Sequence, residues 1–307
     1  MIVVSGEALM DVFDAGATPT GQSLDARIGG SPLNVAIGLA RLGQRVAFFG
    51  AVGRGFLGER LMQALHAEGV DTAAVARVAA PTTLGLVGLD AAGVADYAFY
   101  GEGGADRQLH LADLDRVPQA AAYHFGSYSM VVEPVGSTLR ELARRVSGHA
   151  LVSYDVNVRT NVEPDLARWH AVLRQMLPHV HLLKLSDEDL QRLHPGEDEA
   201  ACAQRWLDQG ASFVLVTHGG AGARGFAPAG PVEVAPVTTR VIDTVGAGDT
   251  FQAALLAALA ERGQLSPAAV RALPLAAWSD ILAFAARAAA ITCSRRGADL
   301  PRRGELG

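Results

Sequence analysis

Apolar residues recur along the chain in two rhythms. Short β-branched runs alternate with longer segments whose apolar positions return every three to four residues, the periods of strand and helix. Ile2–Val4 predicts a first strand, ended by Ser5 and Gly6. Residues 12–28 are turn-rich with polar alternation and stop abruptly at GGSPLNVAIGLARLG, residues 29–43. There Ser31 can cap a helix, Pro32 can occupy its first turn, and Val35, Leu39 and Leu42 follow at helical spacing. RVAFFGAVG from Arg45 predicts one buried strand, and GERLMQALHAEG from Gly58 a helix closed by Gly69. Between residues 82 and 100 the rhythm changes to two alternating runs separated by Asp90-Ala-Ala-Gly93, the pattern of an antiparallel hairpin. After Gly104 strands are expected within 121–127, 150–157, 179–186 and 211–219, with helices through 139–146, 169–177 and 202–209. Repeated strand and helix with right-handed crossovers implies an α/β fold, a mainly parallel central sheet with helices on both faces. Residues 12–28 and 82–104 would form a small β-sheet inserted into a single domain spanning 1–307.

Composition narrows the chemistry. The chain has 307 residues, half of them hydrophobic, long enough for a large core. Its formal net charge of −6 argues against nucleic acid as a partner, because counterion release rewards a basic face. All but one of the 26 basic residues are arginine, and no G-x-x-x-x-G string precedes the exception, Lys184, which excludes a P-loop. Cys202 and Cys293 are too few for a disulfide framework, which suggests a reducing compartment. Glu7 and Asp11 come too early for a signal peptide, and the apolar stretch 276–293 carries Asp280 and Arg287, so no membrane partner is expected and a cytoplasmic protein is.

The densest chemical signal is VIDTVGAGDTFQAALLAAL, residues 241–259, where a strand-like run ends at Asp243 and an apolar helix starts after Gly248. Small residues at a helix start leave backbone N–H groups open, and the helix dipole adds positive potential, so an anion should bind there. Asp249 is the odd element, since a carboxylate in the first turn repels phosphate unless it accepts a proton from an attacking hydroxyl. The plainer alternative is that Asp249 and Thr250 cap a helix and the glycines serve packing. A literal G-x-G-x-x-G, Gly53 to Gly58, follows a strand and precedes a helix as a dinucleotide fingerprint does. Against it, the preceding strand is not the first, and Asp71 falls in a turn.

DTVGAGDTF, with the upstream GGSPLNVA, resembles the paired signatures of the ribokinase or PfkB family of sugar and nucleoside kinases. GEALMD, the glycine pair, the hairpin, DVNVR, KLSDEDL, VTHGGAG, DTVGAGDTF and CSRRGADLP stand in family order, so the resemblance covers nearly the whole chain. It implies a ribokinase-like fold with the small sheet as a lid, and an ATP-dependent kinase using Mg²⁺, with potassium as a weaker expectation. GEALMD and FYGEGGADR look most like the fructokinase branch; 2-keto-3-deoxygluconate kinases are also similar. Adenosine-type kinases fit less well, since only Tyr97, Phe99 and Tyr100 are available to hold a base. A NAD-dependent oxidoreductase and a non-catalytic sugar-binding regulator are the remote alternatives.

Carried over position by position, the resemblance implies that Asp11, Gly29, Gly30 and Asn34 bind sugar, that Gly246, Ala247 and Gly248 form the anion hole, and that Asp249 is the base. Asp243 and Val245 match a monovalent cation site, or Asp243 closes a turn. Asp155, Asn157 and Arg159 leave their strand at alternate positions and would share a face at its carboxyl end, with Asn157 toward ATP and Arg159 toward phosphate or sugar. Arg107 is expected either on the substrate or in a surface ion pair around Asp106. Ser186 and Asp189 replace the asparagine and glutamate of an N-x-x-E motif, and the shorter Asp189 would reach Mg²⁺ through water. Thr217, Gly219 and Gly222 resemble the nucleotide loop, or a plain turn. Lys184, on the face of Ser186, is an accessory phosphate group or a lysine that snorkels to solvent. A homodimer through the lid is expected, since a small two-segment sheet is marginal alone.

Overall fold

The computed structural model of the chain describes residues 1–89 and 95–307, and side chains outside 87–97, so the Asp90-Ala-Ala-Gly93 turn lies outside the described residues. The strands are β1 (Ile2–Ser5), β2 (Leu9–Thr18), β3 (Gly21–Gly29), β4 (Val46–Phe49), β5 (Ala51–Gly53), β6 (Ala76–Val78), β7 (Leu84–Leu89), β8 (Ala95–Tyr100), β9 (Ala122–Gly126), β10 (Leu151–Asp155), β11 (Leu182–Ser186), β12 (Phe213–Thr217), β13 (Ala223–Ala227) and β14 (Gly230–Val234). The helices are α1 (Ser31–Arg41), α2 (Phe56–Ala67), α3 (Val135–Val146), α4 (Leu166–Met176), α5 (Asp187–Leu193), α6 (Glu199–Asp208), α7 (Ala247–Glu261), α8 (Pro267–Arg271) and α9 (Leu275–Cys293).

The central sheet has eight strands in the order β14-β13-β12-β11-β10-β9-β1-β4. From β4 to β12 neighbours run parallel, and β13 and β14 close one edge antiparallel. Strand alternation divides the core into two layers. Ile2, Val4, Leu151, Leu182 and Phe213 pack with α1, α7 and α9, while Val3, Val152, Leu183 and Val214 pack with α3, α4 and α6. Both faces are thus covered, as parallel strands with continuous apolar runs require. By length and composition α9 could cross a membrane. It instead packs along α7 and β14 and buries Trp278, whose indole stacks on Phe213 with centroids 3.7 Å apart.

The small sheet is four-stranded, β3-β2-β7-β8, antiparallel except between β2 and β7. Its first strand starts at Leu9, earlier than the polar alternation from residue 12 suggested, because Met10 and Val12 are buried in the α1-side core. Two further expectations need correction. The strand from Arg45 is broken at Gly50: β4 stays in the central sheet, whereas β5 pairs with β6 in a separate two-stranded sheet. The run ending at Asp243 is not a strand. Val241 and Ile242 are 60% and 59% exposed, and the Ile242 N–H donates to the Cys293 carbonyl at the end of α9, 2.8 Å away.

The G-x-G-x-x-G string therefore lies at the end of β5, outside the central sheet. A side chain at Gly58 would overlap the Gly53 carbonyl, so this glycine lets α2 close onto its own strand. Gly58→Ala should cost about 2 kcal/mol or more of stability through overpacking, measured by urea denaturation; an unchanged midpoint would refute this packing role.

Candidate active site

Two helix N-termini meet beyond the carboxyl ends of the central strands. At α7 the N-cap Gly246 is left-handed, with φ 78°, and a side chain there would come within 2.6 Å of the Ala298 side chain. Its carbonyl accepts both the amide and the hydroxyl of Thr250, each at 2.8 Å. The Ala247 amide donates to the Thr244 carbonyl at 3.2 Å. Ala247 is thus engaged, and among the described hydrogen bonds the free donors at this helix start are the amides of Gly246, Gly248 and Asp249. The Asp243 carboxylate accepts the amides of Val245, at 3.0 Å, and Gly297, at 2.7 Å, tying this loop to the tail after α9.

The start of α1 faces it. Gly30 turns the chain with φ 104°, and a Cβ there would lie 2.7 Å from the Glu7 carbonyl oxygen, so backbone geometry fixes this glycine independently of any ligand. Ser31 does not cap α1; it is its first residue, and the helix has no side-chain cap bond. Its hydroxyl donates to Asp249 Oδ1 at 2.7 Å, while Asn34 Nδ2 donates to Oδ2 at 2.8 Å. Sequence reasoning missed Ser31 as a site residue because Ser-Pro before a helix is an ordinary start signal and nothing local points across the chain to Asp249.

Asp11 sits inside β2, opposite Arg27 of β3 and beside Gly85 of β7, not at a strand-end turn. Its carboxylate occupies the space that a side chain at Gly29 would take. Burial pushes its pKa up to about 6, repulsion from Asp249 adds to this, and the Arg159 guanidinium opposes it. Arg159 reaches there without β alternation: β10 ends at Asp155 and Asn157 is left-handed, with φ 41°, so Asp155, Asn157 and Arg159 do not share a strand face. Arg107 ends a short helical turn after the small sheet. Its neighbour Asp106 is fully buried, accepting from the hydroxyls of Thr83 and of Tyr128, the latter at 2.9 Å, so a surface ion pair around Asp106 is ruled out. Phe99 packs edge-on against Tyr128, with centroids 6.2 Å apart, whereas Tyr100 is exposed.

The floor of the site is polar and sealed. Lys184 and Asp155 are register partners on β11 and β10, and Nζ meets Oδ2 at 2.5 Å with both side chains buried. The lysine does not snorkel to solvent. A Cβ on Gly248 would lie 3.6 Å from Nζ, which puts the ammonium against the start of α7. Burial pushes the Asp155 carboxyl up against the pull of Lys184, and Oδ1 has no partner among the described residues. On the same face, burial and the Lys184 charge hold His124 down at about 3; its Nδ1 lies 3.2 Å from the Ser153 hydroxyl, which accepts from Gln252 of α7 at 2.8 Å.

Asp189 has a structural part to play at the start of α5. With Ser186 it closes the capping box of α5, and its Oδ1 accepts the Val158 amide at 3.0 Å, which leaves it less open to a metal. Thr217 ends β12, and Gly219 and Gly222 form the tight turn into β13, neighbouring β11. Glu7 was also missed: it is 1% exposed, and burial drives its pKa up to about 7.

Residues 1–303 match the pfkB family carbohydrate kinase profile. A fructokinase of Rhizobium leguminosarum bv. trifolii is 38% identical over 260 residues, covering 84% of this chain and 79% of the relative. The structure of a Xylella fastidiosa fructokinase with bound ATP superimposes with a TM-score of 0.89 at 28% identity, covering 99% of this chain and 96% of the other. A Vibrio cholerae O395 fructokinase in its fructose-, ADP- and calcium-bound form gives 0.84 at 26% identity, covering 99% and 97%.

The buried pair makes a prediction with a sign. Lys184→Ala leaves Asp155 without its counter-charge, and stability should fall by about 3 kcal/mol at pH 8. A carboxyl whose folded pKa is raised costs stability as pH rises through that pKa and costs nothing once protonated. The deficit should therefore shrink as pH falls toward about 5, as measured by denaturation across pH. The same variant should raise the KM for ATP and leave that for sugar nearly unchanged; a pH-independent deficit would contradict the pairing.

Proposed function

The chain belongs to the pfkB family of carbohydrate kinases, and we propose that it transfers the γ-phosphoryl group of ATP to the primary hydroxyl of fructose. The observation that carries this reading is the placement of Asp249: a carboxylate in the first turn of α7, beside three open amides and hydrogen-bonded by Ser31 and Asn34 from the start of α1. A site for anion alone would exclude that carboxylate, and a site for sugar alone would have no use for the amides.

Fructose would lie between the small sheet and the start of α1. There the carboxylate of Asp11, the amide of Asn34, the backbone at Gly29 and Gly30, and Arg107 and Arg159 supply donors and acceptors for its hydroxyls. The triphosphate would lie over the ends of β10 to β12, along Asn157, Lys184, Thr217, Gly219 and Gly222. The primary hydroxyl attacks the γ-phosphorus in line; its O–H proton passes to Asp249, the new O–P bond forms, and the bond to the β-phosphate oxygen breaks, releasing ADP. The amides of Gly246, Gly248 and Asp249 would stabilise charge on the transferring group, with the Lys184 ammonium beneath them.

Mg²⁺ bound with the triphosphate neutralises its oxygens. The orphaned Oδ1 of Asp155 and the carboxylate of Asp189, close enough to raise the Asp155 pKa, are hard oxygen donors that suit its water shell. Potassium would be held at the loop carrying Asp243 and Val245, although the Asp243 side chain is already occupied by two amides. The small sheet would act as a lid that closes over the sugar and excludes water. Its outer part, residues 14–24, is exposed almost throughout, with Leu24 54% exposed, which supports a homodimer through this sheet. The free thiols Cys202 and Cys293 suit the reducing cytoplasm.

A coupled assay for ADP with fructose, 2-keto-3-deoxygluconate, ribose, adenosine and tagatose 6-phosphate should give its highest kcat/KM with fructose. Asp249→Asn should lower kcat about a thousandfold while fructose affinity, measured by calorimetry, stays within a few fold. Undiminished turnover in that variant would refute the base assignment, and preference for another sugar would refute the substrate.

A further inference from the structure

We infer that Ser31 is a positioning residue for phosphoryl transfer: it fixes Oδ1 of Asp249 and so leaves Oδ2 as the oxygen that takes the substrate proton. The inference rests on reading Asp249 as the base.

Each oxygen of this carboxylate holds one donor, the Ser31 hydroxyl on Oδ1 and the Asn34 amide on Oδ2. The two donors are not equivalent. Asn34 lies one turn into α1, and its amide, which carries two N–H groups, is also expected to serve the sugar. It can exchange the carboxylate for a sugar hydroxyl. Ser31 has a single hydroxyl proton and a short side chain, 9% exposed, on the first residue of a helix whose turn is set by Pro32. Its bond to Oδ1 has no such alternative.

Asp249 needs this support because little else holds its rotamer. Its preceding neighbours are Gly246, Ala247 and Gly248, which offer almost no side-chain bulk to pack against. A base must present one defined oxygen to the proton within hydrogen-bond reach, and a carboxylate free to rotate presents it only part of the time. With Ser31 held on Oδ1, Oδ2 is the oxygen that sugar exposes by drawing Asn34 away.

The test compares Ser31→Ala, Ser31→Thr and Asp249→Asn in steady-state kinetics with fructose and ATP. Ser31→Ala should lower kcat about tenfold, the size expected for losing one hydrogen bond to a charged group, with KM for both substrates and the thermal midpoint nearly unchanged. Ser31→Thr, which keeps the hydroxyl, should recover most of the loss. If Asp249→Asn is inactive and Ser31→Ala retains the parent kcat, the inference fails while the base assignment stands. A Ser31→Ala defect confined to the KM for sugar, or one that the threonine does not recover, would equally overturn it. If Asp249→Asn remains active, the base assignment itself fails.

Discussion

Two hydrogen bonds, from Ser31 and Asn34 to Asp249, join segments 218 and 215 residues apart and hold the site together. They form only if α1 and α7 lie side by side with their N-termini level. That packing is close: a side chain on Gly38 of α1 would strike Leu300 and, at 2.8 Å, the Ala253 side chain of α7. The entry to α1 is set in turn by Gly30, whose positive φ and contact with the Glu7 carbonyl leave no room for a Cβ. With the helices so placed, two positive dipole ends converge on one carboxylate. A carboxylate beside open helix-start amides is thus held by donors from a second helix, an arrangement in which the proposed proton acceptor and phosphate site would coexist within one helical turn.

Beneath this junction the central sheet carries charge where a parallel sheet ordinarily carries hydrocarbon. Asp155 and Lys184 are paired in register and His124, Ser153 and Gln252 are linked beside them, all within the layer that α7 covers. Burying such groups costs stability unless each is matched, and Oδ1 of Asp155, Nε2 of His124 and Oε1 of Gln252 are not. A floor that is only partly satisfied is characteristic of a site that completes its hydrogen bonds with a ligand.

Much of this was legible in the sequence. The switch from alternating runs to strand–helix repeats separated the small sheet from the central one, and the ordered motifs identified the family, because both depend on local pattern. What escaped notice depends on contacts across the chain or on backbone torsions. Ser31 reads as a cap until Asp249 is seen opposite it. Asn157 breaks the strand alternation through a positive φ that its residue type permits but does not announce. The run at Val241 and Ile242 has strand composition but no strand to pair with, and Asp189, one methylene short of glutamate, turns back to cap its own helix. The Ala247 amide is likewise engaged in a turn bond to Thr244 that no motif encodes.

The structure of the protein with fructose and a non-hydrolysable ATP analogue examines the whole arrangement at once. The Ser31 hydroxyl should still donate to Oδ1 of Asp249, the Asn34 amide should have moved to a sugar hydroxyl, and the primary hydroxyl of fructose should lie about 3 Å from Oδ2. A primary hydroxyl held by another group, or Asp249 turned away from Ser31, would contradict the account.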